Sequence, residues 1–379
     1  MGPGRHGSAA IPVCGLRPLL LGGLSHVRRE CSDRALGGKG RSMILGFVEV
    51  SHESLALAEA EAVCAAEALG GAGVAAGVPI RGLVAVEVPD LLAMNALAGR
   101  LALARRCLVA VPSSEDLLMA VRREGGRGGS GAFRRIGAPS GGEADHEVLE
   151  CGRAFKLGGG SIDLEHPSRR FWLARGADDR DYLLEEVAVV DRAAASLRRM
   201  PLLPFRRPVS LPPRLARAAV NLARITPKDR VLDPFLGTGA LLAEAGLLGG
   251  RLYGIDRDPA MVRGALQNLD YLGVAAEELV VGDAREVAFA DPDCRFSAIV
   301  TDSPYGRSSS TGGAATAELL SDVLGRWSGW LTADGRVVII APSGQAPERL
   351  GKPPRYRIPV RVHRSLTREF CLYEAAGLS

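Results

Sequence analysis

From Arg230 to Asp256 the chain reads RVLDPFLGTGALLAEAGLLGGRLYGID. A short aliphatic run ends on Asp233, glycines follow at 237 and 239, ALLAEAGLLG has the apolar spacing of a helix, and RLYGID is a second strand ending on Asp256. The unit repeats downstream. PAMVRGALQNLDYLG predicts a helix, ELVVGD a strand ending at Asp283 and FSAIVTD a strand ending on Asp302, while RLARAAVNLARI predicts a helix ahead of the first strand. Strands alternating with helices at this spacing predict an α/β fold whose C-terminal part is a Rossmann-like, doubly wound, mainly parallel sheet.

Open α/β sheets bind ligands beyond the carboxyl ends of their strands, so the residues ending each strand are the ones to read. Here they are Asp233, Asp256, Asp283 and Asp302. In PFLGTG, Gly237 and Gly239 let the backbone pass close to a ligand, with Phe235 and Thr238 beside them, but Leu242 stands where a dinucleotide fingerprint has its third glycine. Asp256 can accept both hydroxyls of a ribose, and Asp283, followed by Ala284, can accept the exocyclic amine of an adenine. An acid ahead of the glycines disfavours a pyrophosphate and suits a cationic ligand with an amino group, which S-adenosyl-L-methionine is. Aspartates also cap helices at such turns; four in order at strand ends favour a ligand.

The fourth strand ends in TDSPYG, and Asp302-Ser303-Pro304-Tyr305 resembles the fourth motif of the amino-methyltransferases, an Asp or Asn, two prolines and an aromatic residue. An exocyclic base amine is a poor nucleophile because its lone pair is delocalised into the ring. A site for it must hold the nitrogen in line with the methyl group. The resemblance implies that Asp302 and the carbonyl of residue 303 accept its two N–H groups and that Tyr305 stacks on the base. This chain departs from the pattern at Ser303, where the family usually has proline; a carbonyl role is indifferent to the side chain, and Pro304 still biases Ser303 toward an extended conformation.

PFRRPVSLPPRLARAAVNLARITPKDRVLDPFLGTGALL and the terminal HRSLTREFCLYE are similar to the archaeal tRNA guanine-N2 methyltransferases that modify guanosine 10. The resemblance runs from Met43 to Tyr373 and is strongest over 205–310. It implies an N-terminal ferredoxin-like unit and a THUMP region that grips the acceptor-stem end of a tRNA. Arg134, Arg135, Arg169 and Arg170 fall in that region and are candidates for phosphate contacts.

The expected organisation is an extension at 1–42, an α+β ferredoxin-like unit at 43–120, a THUMP-like region at 121–197, a Pro/Arg-rich linker at 198–213 and the methyltransferase domain at 214–379. Between Arg122 and Asp145 the glycines of RREGGRGGSG predict a loop-rich boundary, and Ser51 is a candidate N-cap for the first helix. The 379 residues are 47% hydrophobic, enough for ordinary soluble cores, and the net charge is +4 with only four lysines among 47 basic residues. Seven scattered cysteines without a C-x-x-C pair argue against a disulfide framework or a metal site and for a reducing, cytoplasmic location. No apolar run reaches the ~18 to 20 residues of a membrane span. The motif defines the amine and not the polymer, so ribosomal RNA and DNA stay open as substrates beside tRNA. A nicotinamide-dependent oxidoreductase and a decayed, non-catalytic RNA-binding protein are the rival classes. The residues do not decide between one and two added methyl groups, or whether a small activator subunit takes part.

Overall fold

The computed structural model describes residues 43–74, 82–112, 116–137, 143–176, 181–199, 202–207, 210–303, 313–348, 350, 352–363 and 366–375. The expected extension at 1–42 lies outside them. The alternation that begins at Met43 folds as β1 (Ile44–Val50), α1 (Leu55–Glu67), β2 (Ala72–Gly73), β3 (Leu83–Val88), α2 (Leu91–Arg100) and β4 (Ala104–Ala110). Strand β1 lies between β3 and β4, antiparallel to both, with Phe47 opposite Ala85 on one side and Leu108 on the other. Ser51 does cap, but it caps the single 3-10 turn at His52–Ser54 that leads into α1, accepting the Glu53 N–H at 3.4 Å.

The next elements are α3 (Leu117–Gly125), β5 (Ser130–Arg135), α4 (Glu143–Leu157), β6 (Ser161–Ile162), β7 (Arg169–Arg175) and β8 (Asp181–Val189). The glycine-rich stretch after Arg122 therefore starts as the last turn of a helix. Its glycines serve contact between backbones: a Cβ on Gly125 would lie 2.1 Å from the Phe155 carbonyl oxygen and one on Gly158 2.0 Å from that of Arg122, so α3 and α4 touch there only without side chains. Phe133, Phe155 and Phe171 close the core between these helices and the sheet, with ring centroids 5.0 to 5.8 Å apart. Strand β8 pairs antiparallel with β4 from Ala110↔Leu184 to Arg106↔Val189, so both N-terminal units share one eight-stranded sheet, β2-β3-β1-β4-β8-β7-β5-β6.

The C-terminal part runs α5 (Pro213–Leu222), β9 (Arg230–Asp233), α6 (Ala240–Gly246), β10 (Arg251–Asp256), α7 (Pro259–Tyr271), β11 (Ala276–Val281), β12 (Phe296–Asp302), α8 (Gly313–Trp330), β13 (Leu331–Pro342), β14 (Tyr356–His363) and β15 (Leu366–Glu374). Its sheet has the order β11-β10-β9-β12-β13-β15-β14. Strands β9 to β13 are parallel, and β15 is antiparallel to both of its neighbours. The order in which strands are added reverses at β9, which has β10 on one side and β12 on the other, and that switch point opens the crevice in which α/β sheets hold ligands.

The two sheets are joined by a continuous apolar core that includes Leu57 of α1, Ala218 of α5 and Leu372 of β15. Buried polar groups lock the joint. Glu61 accepts the N–H groups of Ala102 and Leu103 at 2.9 and 2.8 Å and the Asn221 amide at 2.8 Å, and Arg100 donates to Asn221 Oδ1 at 2.9 Å and to the Ile225 carbonyl at 2.8 Å. Among the described residues no helix is long and apolar enough to cross a membrane.

Candidate active site

Strand β9 delivers Asp233 to the switch point almost wholly buried, where its Oδ1 accepts the Thr301 hydroxyl at 2.8 Å and the Phe235 N–H at 3.1 Å. Burial pushes its pKa up to about 7, and the nearby charges of Asp302 and Asp256 push the same way. The chain then turns through Gly237 and Gly239, both left-handed at φ +52° and +79°. Asp256, ending β10, holds this turn: its carboxylate accepts the Gly237 N–H at 2.8 Å and the Asp258 N–H at 2.9 Å, and burial raises its pKa. Its carboxylate keeps lone-pair capacity for a further donor.

Asp283 sits in a different electrostatic setting. Arg285 donates to it from its backbone N–H at 2.9 Å and from Nη2 at 2.8 Å, and Arg257 donates from the adjacent turn, so hydrogen bonds and charge hold its pKa well below the usual carboxylate range. The two arginines follow directly on Asp256 and around Asp283 in sequence, a placement that was legible but carries no meaning until the turns are seen side by side. Ala284 is buried next to this pair. Phe235 packs 6.2 Å from Trp327 of α8, and Thr238 meets Ser210 through a 2.7 Å hydroxyl contact.

Strand β12 ends on Asp302. Its Oδ2 accepts Arg368 Nη1 of β15 at 2.9 Å, while Oδ1 is buried with no hydrogen-bond partner among the described residues. Burial drives the Asp302 pKa up to about 7 and Arg368 opposes it. The Ser303 N–H donates to the Ile340 carbonyl at 2.8 Å, and its hydroxyl, like Asp302 Oδ1, is buried and unpartnered among the described residues. Pro304 and Tyr305 lie outside the described residues. Arg368 had no role in the sequence reading, although it stands in the terminal stretch TREF.

The four candidate arginines, Arg134, Arg135, Arg169 and Arg170, divide into two kinds. Arg135 is paired with Glu147 and, at 3.2 Å, with Asp181, and Arg169 bridges Glu124 and Glu185 at 2.7 Å each. Those guanidiniums are committed to carboxylates and mostly buried. Arg134 is exposed with its guanidinium 5.8 Å from the Trp172 ring centre, and Arg170, two residues from Trp172 on the same side of β7, is half exposed and 3.9 Å from Glu186.

A glycine turn between the first strand and its helix, acids on the strand ends and, at the switch point, a buried carboxylate oxygen without a partner among the described residues fit a cationic nucleoside cofactor and an N–H-bearing acceptor. The fold is that of a Rossmann-like methyltransferase. The RMKL-like methyltransferase domain family matches residues 202–368. The tRNA (guanine(10)-N2)-dimethyltransferase of Methanothermobacter thermautotrophicus is 38% identical over 237 residues, covering 60% of this chain and 68% of that protein. That of Pyrococcus abyssi is 45% identical over 176 residues, 45% of this chain and 52% of its own length. The crystal structure of TrmN from Thermus thermophilus aligns over 87% of this chain and 99% of its own at TM-score 0.43 and 21% identity. The chain belongs to the tRNA (guanine(10)-N2)-dimethyltransferase family. Its methyl donor is S-adenosyl-L-methionine.

Proposed function

We propose that this protein methylates the exocyclic N2 amine of a guanosine in tRNA, at the position that the names of its relatives give as 10. The observation that carries the reading is the buried Asp302 Oδ1 at the end of β12, an acceptor with no partner among the described residues. A buried, unpaired carboxylate oxygen costs stability unless a donor arrives, and an amine N–H is such a donor. Bound S-adenosyl-L-methionine supplies an electrophilic methyl group on a sulfonium centre. Asp302 Oδ1 takes one N–H of the base amine, the Ser303 carbonyl takes the other, and the stacking role on the base goes to Tyr305, as the resemblance of the motif implies. Holding the nitrogen this way raises the rate by orientation, a source worth up to roughly 7 to 11 kcal/mol in well-aligned systems.

On the cofactor side Asp233 and the turn from Phe235 through Gly237, Thr238 and Gly239 line the methionine end, Asp256 uses its remaining lone pairs on the ribose hydroxyls, and Asp283 with Ala284 borders the adenine. Asp283 reaches the adenine amine only by yielding part of its hold on Arg257 or Arg285. The N-terminal sheet, whose two halves correspond to the 43–120 unit and the THUMP-like 121–197 region, is the platform for the body of the tRNA, with Arg134 and Arg170 as phosphate contacts.

Asp302→Ala tests the assignment. Turnover, read by mass spectrometry of nucleosides from treated tRNA, is expected to vanish while cofactor and tRNA affinities stay near normal, because the interaction strengthens in the transition state. Near-normal turnover in Asp302→Ala removes the mechanism.

A further inference from the structure

Arg368 is 3% exposed, and burying a guanidinium is costly unless it is paired. It belongs to β15, which is separated from β12 by β13: Arg368 stands opposite Pro342 of β13, and Asp302 opposite Ile340 of the same strand. Its side chain crosses the carboxyl end of β13 to reach a carboxylate two strands away. The neighbouring acid on β15 is engaged elsewhere, since Glu369 accepts the Ser343 hydroxyl at 3.0 Å and Arg357 at 2.9 Å.

We infer that Arg368 is a positioning residue for methyl transfer, occupying Asp302 Oδ2 so that Oδ1 alone is presented to the acceptor amine and the buried carboxylate keeps its negative charge. The inference rests on the amine-binding role given to Asp302 above. Among the described residues the groups around Asp302 leave Arg368 as its counter-charge: β9 brings the acid Asp233, tied to β12 through Thr301, and β13 brings the uncharged Ile340. Asp302, at about 7 even with this partner, is poised where losing it changes the protonation state near neutrality. The sign is fixed: the amine acceptor is the carboxylate form, which exists above the pKa, so removing a cation moves the acid limb of the rate profile upward.

The experiment measures kcat against pH for the full chain with S-adenosyl-L-methionine and a tRNA transcript, in wild type, Arg368→Lys, Arg368→Met, Asp302→Asn and the double variant Arg368→Met/Asp302→Asn. An opposite charge nearby shifts a carboxyl by about 1 to 3 pH units, so Arg368→Met is expected to move the acid limb up by that amount and to lose about 5-fold or more at pH 7, recovering as pH rises through the shifted limb, with an unchanged KM for the cofactor. Arg368→Lys is expected to shift it less. In the Asp302→Asn background Arg368→Met is expected to add little, because the group it acts through no longer titrates. An Arg368→Met enzyme slowed equally at every pH with the wild-type limb overturns the inference while leaving Asp302 in place. If Arg368→Met does not fold, Arg368→Lys decides in its stead: its limb must move upward, and an unmoved limb overturns the inference. An Asp302→Asn enzyme with full rate and the wild-type limb instead removes the amine-binding role itself, and this inference with it.

Discussion

Asp233 and Asp302 end adjacent strands and carry the same electrostatic burden, a carboxyl whose burial favours its proton. For Asp233 the ordinary value is near 3.8 and the folded value about 7, so the folded chain holds a proton that the unfolded chain releases. Its favourable contribution is therefore complete below the unfolded value and disappears as pH rises through about 7. Asp233→Asn keeps the Oδ1 acceptor for Thr301 and Phe235 without the titration. The melting temperature of this variant is expected to gain on wild type as pH goes from 4 to 7 and to hold its lead above that; parallel curves over the range would show that Asp233 does not titrate there. At this scale the four strand-end acids were legible, because a strand's last residue is fixed by local periodicity. What each acid touches was not. Arg368 reaches Asp302 across 66 residues of sequence, and no local pattern encodes such a pair.

The elements show the same division in another form. Hydrophobic period and glycine placement gave every strand and helix from Arg230 to Asp302, since each is decided within its own window. The pairing of β4 with β8, which merges two sequence units into one sheet, joins distant segments and left no local trace. The proline-rich linker is the clearest case. Composition read it as extended chain, yet its Phe205 is clamped by Asn268 of α7, which accepts the Phe205 N–H at 2.9 Å and donates to the Phe205 carbonyl at 3.1 Å and to that of Thr238 at 3.0 Å. The linker is thereby tied to the glycine turn of the cofactor site. Gly264 makes room for the ring: a Cβ there would lie 2.2 Å from Phe205. Gly264→Ala, which would raise helix propensity at an open position, is expected here to destabilise by about 1 to 3 kcal/mol, the usual cost of overpacking, and to weaken cofactor binding. A denaturant midpoint at or above that of wild type would show that the linker does not need its seat on α7.

For the whole molecule the decisive feature is the joint between the sheets. Glu61, Arg100 and Asn221 satisfy one another inside a shared core, so the N-terminal sheet is held against the catalytic one by interactions that are costly to break. In the reading proposed above, this joint makes the N-terminal sheet a ruler: phosphates held on it would determine which nucleotide reaches Asp302. That division of labour separates affinity from chemistry. Arg134 and Arg170 are the candidates for grip because their charges face solvent beside Trp172, whereas Arg135 and Arg169 are consumed by carboxylates of their own sheet. Replacing Arg134 and Arg170 together by alanine is expected to weaken tRNA binding and to flatten its dependence on salt, by about 0.9 in the log–log slope for each phosphate no longer engaged on duplex-like sites. The turnover number at saturating tRNA is expected to survive, since both residues stand on the N-terminal sheet whereas Asp302 ends a strand of the other. Arg169→Ala is expected to behave in the opposite way, lowering thermal stability by taking the Arg169 partner from Glu185 and one of the cations from the buried Glu124, which keeps Arg127 at 3.1 Å, with a nearly unchanged salt slope. Titrations of labelled tRNA at several salt concentrations separate the two cases, and a double variant with the wild-type slope would move the RNA to another face of the molecule.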